Sequence, residues 1–304
     1  MENDEGTTCI KEKYNFRRKI MPLKLMYITN NPKVAEIAQR LGVDRIWVDM
    51  EYIGKEERQK GMNTVKSHHN IEDIQRIHSV ITTSELLVRV NPLHEVCSEY
   101  CSSKDEIDQT IAHGADIIML PMFKTRRDVE QFIDYVGGRA KVLLLLETGE
   151  ADENIEDIVT VPGIDEIHIG LNDLHLIYRK KFMFELLADG TVDRLCSIIG
   201  NKGIKYGFGG IARLDEGLLP ARQILGEHYR LGSSMAILSR SFYDLWVEND
   251  MEEIERVFRF GITEIREYEN RLSHESTEFF ENNHKLLKHQ VETIVEKISG
   301  KKKV

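Results

Sequence analysis

A chain of 304 residues with 41% hydrophobic and 30% charged residues can bury a large core and is too apolar to be disordered. Its 51 acidic against 41 basic residues, a net charge of -10, oppose attraction to phosphate backbones and anionic lipid, so nucleic acid is excluded as an expected partner. No apolar run approaches the roughly 18 residues that span a bilayer, and residues 1–20 lack the apolar stretch of a secretory leader; a cytoplasmic protein with no membrane contact is expected.

In chain order, short β-branched or Leu-rich runs alternate with amphipathic stretches, the pattern of βα units around a parallel sheet. Strands are expected at 23–29, 45–51, 86–91, 116–121, 141–148, 166–173, 205–211 and 229–238. Helices are expected near 33–41, 70–80, 104–113, 125–136, 153–160, 182–200, 214–226 and 239–248, with Gly42, Gly114 and Gly203 as stops. This α/β alternation predicts a closed (β/α)8 TIM barrel. A doubly wound open sheet would show a Gly-rich phosphate turn after its first strand, where this chain has Thr29-Asn30-Asn31-Pro32. After about residue 250 the pattern is helical, with Ile254, Val257, Phe258, Ile262 and Ile265 at three- and four-residue spacing, and a second stretch at 276–298. The expected organisation is an N-terminal extension (1–22), a barrel domain (23–250) and a C-terminal helical extension (251–304). The last helices either cap their own barrel or pack on a second copy, and a homo-oligomer is the expectation carried forward.

Cys9, Cys97, Cys101 and Cys196 have neither zinc-ribbon spacing nor the density of a disulfide framework and read as free thiols, although Cys97 and Cys101 could share a helix face. The basic run Lys301 to Lys303 reads as a solvated tail.

In such barrels the functional groups project from the C-terminal ends of the strands. Strand two ends Asp49-Met50-Glu51-Tyr52, strand three carries Arg89, strand five runs through four leucines into Glu147, and strand six ends Gly170-Leu171-Asn172-Asp173. A carboxylate closing four leucines must be solvated, paired or metal-bound, because burying it alone costs several kcal/mol. Taken singly, Glu147 and Asp173 could equally cap helices or pair with Arg89. Together, on neighbouring strand ends, they can converge on a hard cation such as Mg2+ or Mn2+, leaving positions for water and substrate. A 2-oxo acid chelated there would develop enolate charge beside a Lewis acid, and Arg89 would stabilise it.

These residues resemble the HpcH/HpaI aldolase and citrate lyase family over about 23–245. The resemblance rests on Val88-Arg89-Val90, Gly114-Ala115-Asp116 through Leu120-Pro121-Met122, Glu147-Thr148, and Val161-Pro162-Gly163-Ile164-Asp165 leading to Gly170-Leu171-Asn172-Asp173-Leu174. It implies a divalent-metal-dependent carbon–carbon lyase acting on a small pyruvate-like 2-oxo acid, with Glu147 and Asp173 as metal ligands and Arg89 as the substrate contact. Asp49 and Glu51 match the family's acidic strand-two motif and would orient metal waters or Arg89. Gly170 and Asn172 are expected to line the substrate. Where the pyruvate aldolases carry a His that helps a metal-bound water move protons, this chain has Tyr52, and where they carry a Gln two residues before the metal Glu it has Leu145. Their connection between strands four and five is also longer.

A phenol with a reference pKa of about 10 is a poor base near neutrality, yet it can donate a hydrogen bond or act as an acid. His175, two residues after Asp173, is a candidate to replace the missing His. His113 and His168 read as structural, and His68 and His69 as surface residues. Gly207, Gly209 and Gly210 would let backbone approach a ligand, and Arg213 and Arg240 either bind a second acidic group or form surface ion pairs. Two other functions stay open: a citrate- or malyl-type lyase acting on an acyl-CoA thioester, and a catalytically degenerate barrel with a binding or assembly role.

Overall fold

A computed structural model describes residues 21–55, 69–239, 242–243 and 250–300. The extension over 1–20, Cys9, His68, Arg240, the basic tail and most of the helix expected at 239–248 lie outside the described residues. Eight parallel strands, β1 (Lys24–Ile28), β2 (Arg45–Asp49), β3 (Glu85–Arg89), β4 (Ile117–Leu120), β5 (Lys141–Leu146), β6 (Glu166–Ile169), β7 (Lys205–Ile211) and β8 (Met235–Leu238), form a closed barrel. Closure is made by β8 on β1, with Ile237 level with Met26.

The strands read as unbroken apolar runs because both their faces are buried. Met26, Trp47, Leu87, Ile117, Met119, Leu143, Leu145 and Met235 fill the barrel. The intervening side chains, such as Ile46, Val48, Val88, Leu144 and Leu146, pack under the surrounding helices. One interior position tolerates no side chain: a Cβ on Gly207 would lie 2.3 Å from the Met235 carbonyl oxygen.

The helices that follow the strands are α1 (Pro32–Arg40), α2 (Ile71–His78), α3 (Ser103–Ala112), α4 (Arg126–Val136), α5 (Gly149–Glu153), α6 (Ile155–Ile158), α7 (Leu171–Ile177), α8 (Glu185–Ala188), α9 (Thr191–Asn201) and α10 (Ala221–Leu231). Two of the expected strands lose half their length or more. β6 stops at Ile169, and Asn172 and Asp173 belong to the first turn of α7 rather than to a strand end. β8 starts only at Met235, since 229–231 complete α10 and Gly232 closes it with a left-handed φ of 70°. The helix expected over 182–200 is divided at Gly190, φ 88°, into α8 and α9.

Two long helices, α11 (Met251–Leu272) and α12 (Thr277–Gly300), cover their own barrel. Glu269 accepts the Leu23 amide at 2.7 Å while Arg266 donates to the Leu23 carbonyl at 2.8 Å, tying α11 to the start of β1. Asn283 donates to Glu227 and to the Gln223 carbonyl, both at 3.0 Å, and so seats α12 on α10. Among the described residues no helix is long and apolar enough to cross a membrane.

Charge closes the N-terminal end of the barrel. The Arg45 guanidinium is fully buried and forks onto Glu166 at 2.5 and 2.8 Å, with Nε 3.0 Å from Glu85. Lys24 and Lys141 also reach Glu85, and these cations hold its carboxyl down to about 2 against the upward push of burial. Deleting one partner of a buried pair strands the other, so Glu166→Ala is expected to destabilise the protein by about 3–5 kcal/mol. Urea denaturation checks this; a loss below about 1 kcal/mol, the scale of an exposed pair, would mean that Glu85 alone satisfies Arg45.

Candidate active site

Asp49 is the last residue of β2 and shares the interior face with Arg45 and Trp47 by the two-residue period of a strand, so its carboxylate emerges at the C-terminal mouth. Arg89 stands level with it in β3. The guanidinium donates from Nε to Asp49 Oδ1 and from Nη2 to Asp49 Oδ2, both at 2.8 Å, and Nη1 lies 3.1 Å from Glu51 Oε2. Beneath it the Trp47 ring is 5.2 Å from the guanidinium carbon, within cation–π range. Lys55, in the turn after β2, donates to Asp49 Oδ2 at 2.7 Å. Burial alone would push the Asp49 carboxyl up, but Arg89 and Lys55 outweigh it and hold the group well below the usual carboxylate range. For Arg89, burial is outweighed by Asp49, Glu51 and Glu147, which keep it charged. Glu147 therefore acts on the same guanidinium as the β2 acids.

Glu147 follows β5 directly and is 3% exposed. Its Oε1 accepts the Met122 amide at 3.3 Å. Met122 has φ 56°, a left-handed conformation uncommon for a side chain of this size, and that turn aims its N–H at the carboxylate. On the opposite flank a Cβ added to Gly170 would lie 2.9 Å from Glu147 Cβ and 3.0 Å from its Oε2, so glycine leaves this carboxylate its place. Three residues on, Asp173 is partly buried in the first turn of α7, where the helix dipole favours a negative charge.

Two carboxylates at one mouth are a hard oxygen donor set of the kind that Mg2+ or Mn2+ accepts, with water and substrate completing the shell. Among the described residues no three His, Cys, Asp or Glu side chains are grouped to hold a metal by themselves. A cation at Glu147 and Asp173 would thus depend on outside ligands. Carboxylates are the donor chemistry such a cation takes.

The loop after β2 is fastened from below. The Tyr52 and Ile53 amides donate to Asn91 Oδ1 at 2.8 and 2.9 Å, and Asn91 Nδ2 donates to Glu106 at 2.9 Å. The Tyr52 hydroxyl donates to the His69 carbonyl, and burial, with the charges of Asp49 and Tyr100, raises its pKa. Its proton therefore points at backbone.

His69 corrects the surface reading: it is 7% exposed, and its Nδ1 accepts the Asp49 amide at 3.0 Å, a bond that requires the neutral ring. Lys55 and His69 were missed because their partner, Asp49, is reached through a loop that no hydrophobic period describes. His175 is buried, with Nδ1 3.1 Å from the Leu171 carbonyl one turn back in its own helix. His168 lies inside the barrel, 3.1 Å from the Gly209 carbonyl, and burial pushes it down to about 4, a structural, neutral histidine. His113 bonds the Gln109 carbonyl at 2.7 Å. Cys97 and Cys101 are exposed in the β3–α3 loop, so they share no helix face, and Arg213 pairs with Glu216 at 2.6 Å.

A model of the HpcH/HpaI aldolase/citrate lyase family matches residues 24–181, the stretch from β1 to just past α7. No curated protein matches the chain in sequence. Among solved structures, an HpcH/HpaI aldolase from Desulfitobacterium hafniense DCB-2 aligns with a TM-score of 0.56 at 15% identity, over 81% of this chain and 93% of its own. An HpcH/HpaI aldolase/citrate lyase family protein from Burkholderia cenocepacia J2315 aligns with 0.56 at 16%, over 82% and 96%. The citrate synthase SbnG aligns with 0.53 at 17%, over 82% and 95%. At these identities the likeness is one of fold.

The depressed pKa of Asp49 carries a sign. Its stabilising contribution is complete above the unfolded value of about 3.9 and is lost as pH falls toward the folded one. Melting of Asp49→Asn is expected to lie below wild type by a steady margin near neutrality, with the gap narrowing progressively below about pH 4. A gap that widens on acidification would contradict the pairing.

Proposed function

The chain belongs to the HpcH/HpaI aldolase/citrate lyase family, and we propose from that premise that it is a carbon–carbon lyase of aldolase type acting on a small pyruvate-like 2-oxo acid. What supports this is Arg89: one guanidinium, forked onto Asp49 and paired with Glu51, feels Glu147 at the same barrel mouth. The candidate substrate cation and the candidate metal carboxylate thus lie within electrostatic reach of each other.

In this reading Glu147 and Asp173 would hold Mg2+ or Mn2+, which when bound would supply Lewis acidity to the oxo acid. Arg89 has five N–H donors, of which three face Asp49 and Glu51. The remaining two meet the negative charge that develops on the oxo acid. Asp49, held between two cations, stays ionised and orients Arg89 with Glu51. Gly170 keeps the Glu147 carboxylate in place, and Gly170 and Asn172 form the wall against the substrate. Leu145, Trp47 and Met119 make an apolar floor suited to a methyl group. Tyr52 anchors the loop through the His69 carbonyl and serves as a hydrogen-bond donor, so proton transfer falls to water, with His175 in reserve. A cytoplasmic location and a homo-oligomer complete the proposal.

A second reading, a citrate- or malyl-type lyase using an acyl-CoA thioester, draws on Tyr52 and Leu145, which stand where the pyruvate aldolases have His and Gln. Pyruvate methyl protons are expected to exchange in deuterated water, followed by NMR, only with Mg2+ or Mn2+ added. Glu147→Ala should abolish the exchange, and Arg89→Met should slow it by about 100-fold or more. Exchange that ignores both metal and Glu147 rejects the proposal, while turnover confined to CoA thioesters selects the second reading.

A further inference from the structure

Arg89 carries one positive charge and faces two carboxylates, Asp49 and Glu51, with Glu147 acting on it as well. Left at that, the Asp49 charge would fall on Arg89 alone and weaken the attraction the guanidinium offers an approaching anion. Lys55 changes the sum. Its ammonium group is buried at 6% exposure and donates at 2.7 Å to Asp49 Oδ2, the same oxygen that accepts from Arg89 Nη2 at 2.8 Å. The Asp49 carboxylate is thus shared between two cations, Arg89 and Lys55.

Holding the loop is not a sufficient reason for a buried lysine. Asn91 already fastens the loop through the Tyr52 and Ile53 amides, and the Tyr52 hydroxyl fastens it again at the His69 carbonyl. Lysine is among the residues least often buried, because desolvating an ammonium costs free energy that a leucine or methionine would not incur. What it contributes beyond any apolar filler is charge, delivered to one carboxylate oxygen.

We propose that Lys55 is a positioning residue that offsets the charge of Asp49, so that Arg89 keeps an attractive field for an anionic 2-oxo acid. This rests on the lyase reading for the identity of the ligand, but not for the charge balance itself. Lys55 acts through Asp49 and Arg89, without a bond to the reacting atoms.

The test uses the full chain with Mg2+ and oxalate as the probe, binding being followed by calorimetry. Lys55→Met is expected to weaken oxalate roughly tenfold, the scale of one unit charge acting across several ångströms in a partly screened pocket, while Lys55→Arg restores most of the affinity. In the pyruvate exchange assay Lys55→Met should raise KM with kcat little changed, a split that a collapsed loop would not produce. Equal oxalate affinity in wild type and Lys55→Met overturns the inference, as does equal loss in the Met and Arg variants with a matching fall in melting temperature. Wild type that binds oxalate but exchanges no pyruvate protons sinks the lyase reading and leaves Lys55 to be judged by oxalate alone. Wild type that fails to bind oxalate overturns both.

Discussion

The fork between Arg89 and Asp49 is the contact on which the mouth of the barrel depends. It spans β2 and β3 at equal height, and the Asp49 carboxylate, 2% exposed, is too buried to be left without its cation. Everything nearby is arranged around it: Trp47 beneath the guanidinium, Glu51 on its third edge, Lys55 on the far carboxylate oxygen and His69 on the Asp49 amide. A bidentate pair fixes a plane as well as a distance. The direction in which Arg89 presents its remaining N–H groups is therefore set by the sheet and not by a flexible side chain.

The barrel carries a second charge cluster at its other end, and the contrast separates stability from chemistry. Arg45, Glu166 and Glu85 sit below the apolar layers, with Lys24 and Lys141 at the rim, and act as a plug. In barrels of this architecture the N-terminal end serves the fold and the C-terminal end serves the reaction. Each guanidinium commits Nε, Nη1 and Nη2 to carboxylates, Arg45 to Glu85 and Glu166 at the lower end and Arg89 to Asp49 and Glu51 at the mouth.

Much of this was legible in the sequence because a strand repeats every two residues and a barrel buries both its faces. The Leu143 to Leu146 run marks β5 and makes the following Glu147 conspicuous, and Asp49, Arg89 and Glu147 fall where strand ends place them. Asp173 follows β6 as the sequence order requires, but in a helix and not at a strand end. Apolar continuity through Leu171 conceals that Gly170 ends β6 and that a helix begins at once. Tyr229 and Leu231 were read as β8 for a similar reason, since aromatic and aliphatic residues suit a buried helix end equally well. The loop residues were not legible at all. Lys55, His69 and Asn91 owe their roles to distances between segments, and a lysine or a His-His pair in a polar stretch looks the same whether it is solvated or buried.

Met122 has a consequence of its own. Its left-handed backbone is one that a glycine would adopt more cheaply, and in that conformation its N–H meets Glu147 Oε1 at 3.3 Å. This donor to Glu147 is part of the main chain between β4 and α4. The carboxylate takes its position from skeleton on one side and from the missing side chain of Gly170 on the other, and so inherits the stiffness of the barrel instead of the freedom of a rotamer.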